Sequence, residues 1–135
     1  MSQMTGGCLC GAVRCEAKGE LPGMAICYCT DCQKQTGSAF LEVIVVPDDT
    51  IAVAGETRSY AKQGDSGRTL TRRFCLTCGT VVAMTSERLP NKTLIMGGTL
   101  DDTKSLRPRM ALFCGSAQPW MQENPDIPRH PRMPT

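Results

Sequence analysis

Seven cysteines in three tight clusters constrain this chain more than any other feature. They are Cys8 and Cys10 in "CLCG", Cys27, Cys29 and Cys32 in "CYCTDC", and Cys75 and Cys78 in "CLTCG". Turns of this kind aim neighbouring sulfurs and backbone N–H groups at one point, as metal-binding knuckles do. Cys15 and Cys114 bring the total to nine, an odd number that cannot all pair internally. The N-terminal "MSQMTGGCLCGAV" lacks the charged-then-apolar layout of a secretory signal, and no apolar run approaches the roughly 18 residues a membrane span needs. A cytoplasmic chain without a membrane span is therefore expected. Thiols stay reduced in that compartment, and a one-residue gap strains any disulfide within the CxC pair, so metal ligation is the leading account of the clusters.

Structural zinc takes four N or S donors in a tetrahedron. The only histidine, His130, sits in a C-terminal stretch rich in proline, where it reads as solvated. Four cysteines, Cys8, Cys10, Cys75 and Cys78, are therefore the economical ligand set for one ion. The triplet Cys27, Cys29 and Cys32 has no fourth cysteine nearby. Three protein ligands leave a coordination position open, which is the pattern of catalytic zinc. Three thiolates and one zinc ion together carry about one negative charge, a poor setting for activating water but a good one for a soft sulfur ligand. Completion by Cys114, Cys15 or the carboxylate of Asp31 would instead make the site structural, and a metal-free redox cluster is a third reading. Cys15 lies on the apolar parity of its strand and reads as core packing. Cys114 belongs either to the core or to a pocket wall.

Charge excludes some partners. The formal balance of +2 is spread along the chain without a basic tract, and two zinc ions held by seven thiolates move it to about −1. No nucleic-acid partner is expected. The 135 residues suffice for one domain, with a core over about 5–128 and an extended tail over 118–135 held by Trp120 and Ile127. Frequent glycine and proline leave room for short strands and little helix. Val13, Cys15 and Ala17 alternate with Arg14, Glu16 and Lys18 as in a half-buried strand. "FLEVIVVP" from Phe40, "TIAVAG", "TRSYAK", "GRTLTRRFCLTCGTVVAMTS", "KTLIMGGTL" and "RMALFCG" supply further strands. One short helix is expected over Thr30 to Gln35, with Thr30 as N-cap and Gly37 ending it.

Taken in order, "GGCLCGAVRC", "CYCTDCQKQTGSAF", "RRFCLTCGT" and the late "PW" and "DIP" resemble the glutathione-dependent formaldehyde-activating enzyme family, which includes the centromere protein V type of domain. The resemblance runs from about Thr5 to Pro128. It implies a small all-β fold of twisted antiparallel sheets, a structural zinc on Cys8, Cys10, Cys75 and Cys78, and a catalytic zinc on Cys27, Cys29 and Cys32. The implied activity is that of a carbon–sulfur lyase resembling S-(hydroxymethyl)glutathione synthase, which adds glutathione reversibly to formaldehyde. A non-catalytic zinc-stabilised binding module is the alternative. The family commonly has histidine between the first two cysteines of the catalytic cluster and arginine after the third, where this chain has Tyr28 and Gln33. Both departures bear on the substrate. Glutathione carries two carboxylates, so Lys34 and Arg73, with Arg72 beside it, are candidates to bind them. The turn at Gly37 would bring Ser38 and free backbone N–H groups beside the open position.

Overall fold

Strand-forming segments dominate the computed structural model, which describes residues 3–19, 23–64 and 66–134. Within them the strands are β1 (Gln3–Gly7), β2 (Arg14–Lys18), β3 (Met24–Cys27), β4 (Leu41–Pro47), β5 (Ile51–Ala54), β6 (Thr57–Gln63), β7 (Thr69–Cys75), β8 (Val81–Ser86), β9 (Lys92–Met96) and β10 (Pro108–Leu112). One α-helix, α1 (Thr30–Thr36), stands among them. Strands β1, β2 and β5 make a small antiparallel sheet, and the other seven make a larger one in the order β10-β3-β4-β9-β8-β7-β6. The expected all-β fold is thus present, with one addition: β10 runs parallel to β3.

The period of two explains the layering. In β2, Cys15 and Ala17 are buried while Arg14, Glu16 and Lys18 are exposed, so this sheet has one wet face. Strand β4 reads as an unbroken apolar run because both of its faces are covered. Leu41 and Val43 join a cluster with Cys27, Cys32, Leu94 and Met96, whereas Ile44 and Val46 join Ala17, Ile95 and Leu100 on the other side. The small sheet therefore covers one face of the large sheet. Helix α1 and the C-terminal segment cover the other, where Phe113 and Met133 pack.

The same parity sorts β7. Cys75 faces the small sheet with Cys8, Val13, Cys15 and Val82, while Leu70 and Phe74 pack on the α1 side with Cys27 and Cys29. Opposite faces of one sheet thus carry the two cysteine groups.

Residues after 117 are fastened differently from the expectation. Trp120 is 67% exposed and anchors nothing in the core. The fastening is through backbone: Ala111 N–H donates to Pro128 O at 2.9 Å, His130 N–H to Ala111 O at 2.9 Å and Cys114 N–H to His130 O at 2.9 Å. His130, expected to be a solvated tail residue, is half-buried and held by these bonds. Prolines donate no N–H, yet Pro128 and Pro131 still offer carbonyls to β10 and the turn after it.

Candidate metal centres and the adjoining cleft

The four-cysteine group joins two turns. Gly11 and Gly79, both with left-handed φ of 84° and 80°, close the turns behind Cys10 and Cys78. The Sγ atoms of Cys8, Cys10, Cys75 and Cys78 all lie within 4.8 Å of one another. Cys8 to Cys10 is 3.7 Å and Cys10 to Cys75 is 3.8 Å. A disulfide needs about 2.05 Å. Four sulfurs at about 2.3 Å from a central ion, tetrahedrally placed, stand about 3.8 Å apart, so the donor set fits zinc. Backbone donors already serve the sulfurs: Val13 N–H reaches Cys8 Sγ at 3.2 Å, and Thr77 and Cys78 N–H reach Cys75 Sγ at 3.3 and 3.4 Å. The Thr80 hydroxyl at 3.2 Å holds the Cys78 thiol well below its ordinary range, at about 5.

The three-cysteine group sits at the junction of β3 and α1, on the opposite face. Cys27 ends β3, Cys32 lies in the first turn of α1, and their sulfurs with that of Cys29 fall within 4.8 Å. Cys29, not Thr30, is the N-cap. Its backbone is extended (φ −60°, ψ 152°) and its sulfur accepts the Cys32 N–H at 3.3 Å. Hydrogen bonds from Cys27 and Cys32 pull the Cys29 thiol down, and the same crowding pushes Cys27 and Cys32 up. Three thiols this close ionise together only around a cation. No other His, Cys, Asp or Glu joins this group among the described residues. Asp31 turns away to Lys62, whose ammonium it accepts at 2.7 Å. Cys15 is in the core under the small sheet. Cys114 lies in a turn near Glu123, where burial and that carboxylate push its thiol up to about 11.

Tyr28, between Cys27 and Cys29, points into the interior at 1% exposure, edge-on to Phe40 with ring centroids 6.0 Å apart. Gln33 has a positional role that sequence reasoning missed. Its Nε2 donates to Tyr28 O at 2.7 Å and to Ser116 O at 3.0 Å, and its Oε1 accepts from Gln118 Nε2 at 3.1 Å. Trp120 Nε1 in turn donates to Gln118 Oε1 at 2.7 Å. The amide therefore ties the carbonyl between two triad cysteines to the C-terminal segment, a link of about 85 residues that local pattern cannot show.

One helical turn from Cys29, whose carbonyl accepts the Gln33 N–H at 3.0 Å, an open cleft of about 410 Å³ is lined by Gln33, Lys34, Gly37, Ser38, Ala39 and Gln118. Lys34 and Ser38, two sequence candidates, share this cleft. None of the three cysteines lines it, so it adjoins the triad without enclosing it. The backbone N–H groups expected to be free are engaged: Gly37, with φ 64°, donates to Gln33 O, and Ser38 donates to Gln33 O at 3.3 Å. They close the helix. Arg73 is elsewhere. It shares the face of Cys75, reaches Thr57 Oγ1 at 3.4 Å, and its charge acts on Cys15. The odd–even register of β7 sends it to the face away from the triad.

Residues 3–116 match the profile of a family described as glutathione-dependent formaldehyde-activating enzyme. Among solved structures, the chain is similar to a crystal structure of a protein from Rhodobacter sphaeroides, with 23% identity and a TM-score of 0.57 over 78% of this chain and 93% of that one. That similarity shows a shared fold. No curated protein matches the chain.

Proposed function

The chain belongs to the glutathione-dependent formaldehyde-activating enzyme family, and on that premise we propose that it is a zinc-dependent carbon–sulfur lyase that makes and breaks an adduct between glutathione and a small carbonyl such as formaldehyde. The observation that carries this reading is a group of three sulfurs, with no fourth ligand among the described residues, beside an open cleft lined with polar groups. Zinc held by Cys27, Cys29 and Cys32 would supply a soft site where a thiol ionises and a carbonyl is polarised. A second ion on Cys8, Cys10, Cys75 and Cys78 would act structurally.

The chemistry balances without an oxidant. The thiol sulfur attacks the carbonyl carbon, an S–C bond forms, the C=O π pair moves to oxygen, and the thiol proton ends on that oxygen. The protein's part is binding and orientation. Lys34 offers an ammonium to a carboxylate and Ser38 a hydroxyl to the peptide body. Gln33 keeps Tyr28 O in place and has no amide hydrogen left for substrate, because both are donated. It is a positioning residue. The volume of the cleft falls in the range of small-ligand sites.

Exchange NMR of glutathione with carbon-13 formaldehyde tests this, alongside zinc analysis and the fluorescence of Trp120, the chain's single tryptophan. The wild-type protein should speed exchange between free and adduct glutathione, and Cys29→Ala should return it to the uncatalysed rate while keeping one zinc. Thiol binding in the cleft should shift Trp120 emission through Gln118. A protein carrying two zinc ions that leaves the exchange rate unchanged would be a non-catalytic zinc-stabilised binding module.

A further inference from the structure

Among the described residues, Arg72 is a buried cation without a counter-ion. The residue is 7% exposed, its Nε is buried with no hydrogen-bond partner, and none of the ion pairs among the described residues includes it. Folding an uncompensated guanidinium into an interior is costly, and buried polar groups are ordinarily satisfied, so an unpartnered one marks a place where a ligand completes the structure.

Its position says which ligand site. Along β7, Leu70, Arg72 and Phe74 share one face, and Leu70 and Phe74, like Cys29, pack against the cluster that contains Cys27 and Cys32. Across the ladder Arg72 lies opposite Met84 of β8, another member of that cluster, and opposite Tyr60 of β6. Two residues along β6, Lys62 reaches over to Asp31 in the first turn of α1 at 2.7 Å. That bond raises the Lys62 ammonium pKa, while the nearby Arg72 charge opposes the rise. Arg72 therefore belongs to the sheet face on which α1 and the triad sit. Asp31, the carboxylate in the first turn of α1, is already engaged by Lys62, and no ion pair among the described residues includes Arg72, which leaves its fork for an anion that arrives from outside.

We propose that Arg72 binds the carboxylate of an acidic thiol whose sulfur occupies the three-cysteine site, so that the protein selects carboxylate-bearing thiols over neutral ones. This rests on the reading of the triad as a thiol site. An arginine fork matches a carboxylate through two parallel N–H bonds, which a lysine cannot reproduce.

Titration calorimetry with the zinc-loaded protein and three probes separates the possibilities: 3-mercaptopropionate, the neutral 2-mercaptoethanol of similar size, and thiol-free propionate. The wild type should bind 3-mercaptopropionate about 10- to 100-fold more tightly than 2-mercaptoethanol. Arg72→Gln should erase that preference, with affinity for 2-mercaptoethanol and zinc content unchanged. Arg72→Lys, which keeps the charge and guards against a folding failure, should retain only part of the preference. Equal binding of both thiols by the wild type, or equal weakening of both by Arg72→Gln, would overturn the proposal. So would loss of the triad's zinc from Arg72→Gln, since the guanidinium would then be serving the cysteine thiolates. If neither thiol binds the wild type, the thiol reading of the triad fails by itself. Propionate binding lost in Arg72→Gln would still establish the anion site, and its absence would remove it.

Discussion

Replacing Cys75 and Cys29 by alanine, one at a time, should separate a metal cross-link that holds the fold from the site where the chemistry is proposed. The four-sulfur site ties Cys10 to Cys75 across 65 positions, whereas the triad closes only the short stretch from Cys27 to Cys32. If metal cross-links obey the loop-closure entropy used for disulfides, the long closure contributes about 4 kcal/mol and the short one about 2 kcal/mol. Cys75 is also 1% exposed beside Val13 and Val82, and deleting one small buried group adds about 1 kcal/mol. The Cys75→Ala cost of about 5 kcal/mol is comparable with the whole stability of many domains. Cys29→Ala loses the sulfur that caps α1, about 1 kcal/mol, and part of the short closure, so about 2 kcal/mol in all. An unfolding entropy of about 2.1 cal/mol/K per residue makes 1 kcal/mol equal to about 3.5 °C for this length. Scanning fluorimetry should therefore place Cys75→Ala about 18 °C below the wild type, if it folds at all, and Cys29→Ala about 7 °C below. Mass spectrometry of the native proteins should count two metals, then one for Cys29→Ala. Equal melting shifts for the two variants, or a Cys75→Ala protein that keeps two metals, would refute the division of labour.

Gln33→Glu swaps the amide that donates to Tyr28 O and Ser116 O for a carboxylate that faces both carbonyls, so a loss of about 2 kcal/mol is expected. A melting temperature within about 2 °C of wild type would show that the network carries no stability. Gly37→Ala should cost only about 1 kcal/mol, because φ is 64° and the new Cβ meets nothing within 4 Å, whereas at Gly55 it would sit 2.3 Å from Ala12 O with φ at 115°. Fluorimetry should rank Gly55→Ala far below Gly37→Ala, and the reverse order would contradict the turn assignments. The Arg14 guanidinium and the Thr5 hydroxyl hold Asp101 below its ordinary value of 3.8, so its stabilisation is present above that pH and disappears as pH falls further. A melting series from about pH 5 to about pH 3 should fall, and Asp101→Asn should flatten part of the fall.

Strands with a one-sided period were legible: β2 shows its wet and dry residues in strict alternation, and Gly55 and Gly64 mark where β5 and β6 end. Strand β1 was not legible, because "QMTGG" has no apolar alternation. Its place is set by contact, since a Cβ on Gly6 would stand 2.4 Å from Thr99 O. The β10–β3 pairing joins segments more than 80 positions apart, and the main-chain bonds that dock the C-terminal segment on β10 leave no side-chain pattern. The cap at Cys29 was overlooked because Thr30 is the stronger capping type. A sulfur already turned toward its two neighbours took the role instead, which joins metal-site geometry to helix initiation.

Arginine assignment shows how far spacing can carry an inference. Arg72 and Arg73 are equally near Cys75 in sequence, and composition favours neither. Pleating decides, because adjacent residues of β7 point to opposite faces, and Cys75 fixes which face is which. Its sulfur is committed to the four-cysteine group under the small sheet. Three positions earlier, Arg72 must then look toward α1 and the triad, and Arg73 toward Thr57 and Cys15. A one-residue slip of β7 would exchange them and would also pull Cys75 out of its group. The knuckle at 75–78 therefore does more than stabilise the fold. By holding the register of β7, it determines which cation faces the site where the thiol chemistry is proposed, so an ion held by the four cysteines on one face of the sheet would set the electrostatics of the other.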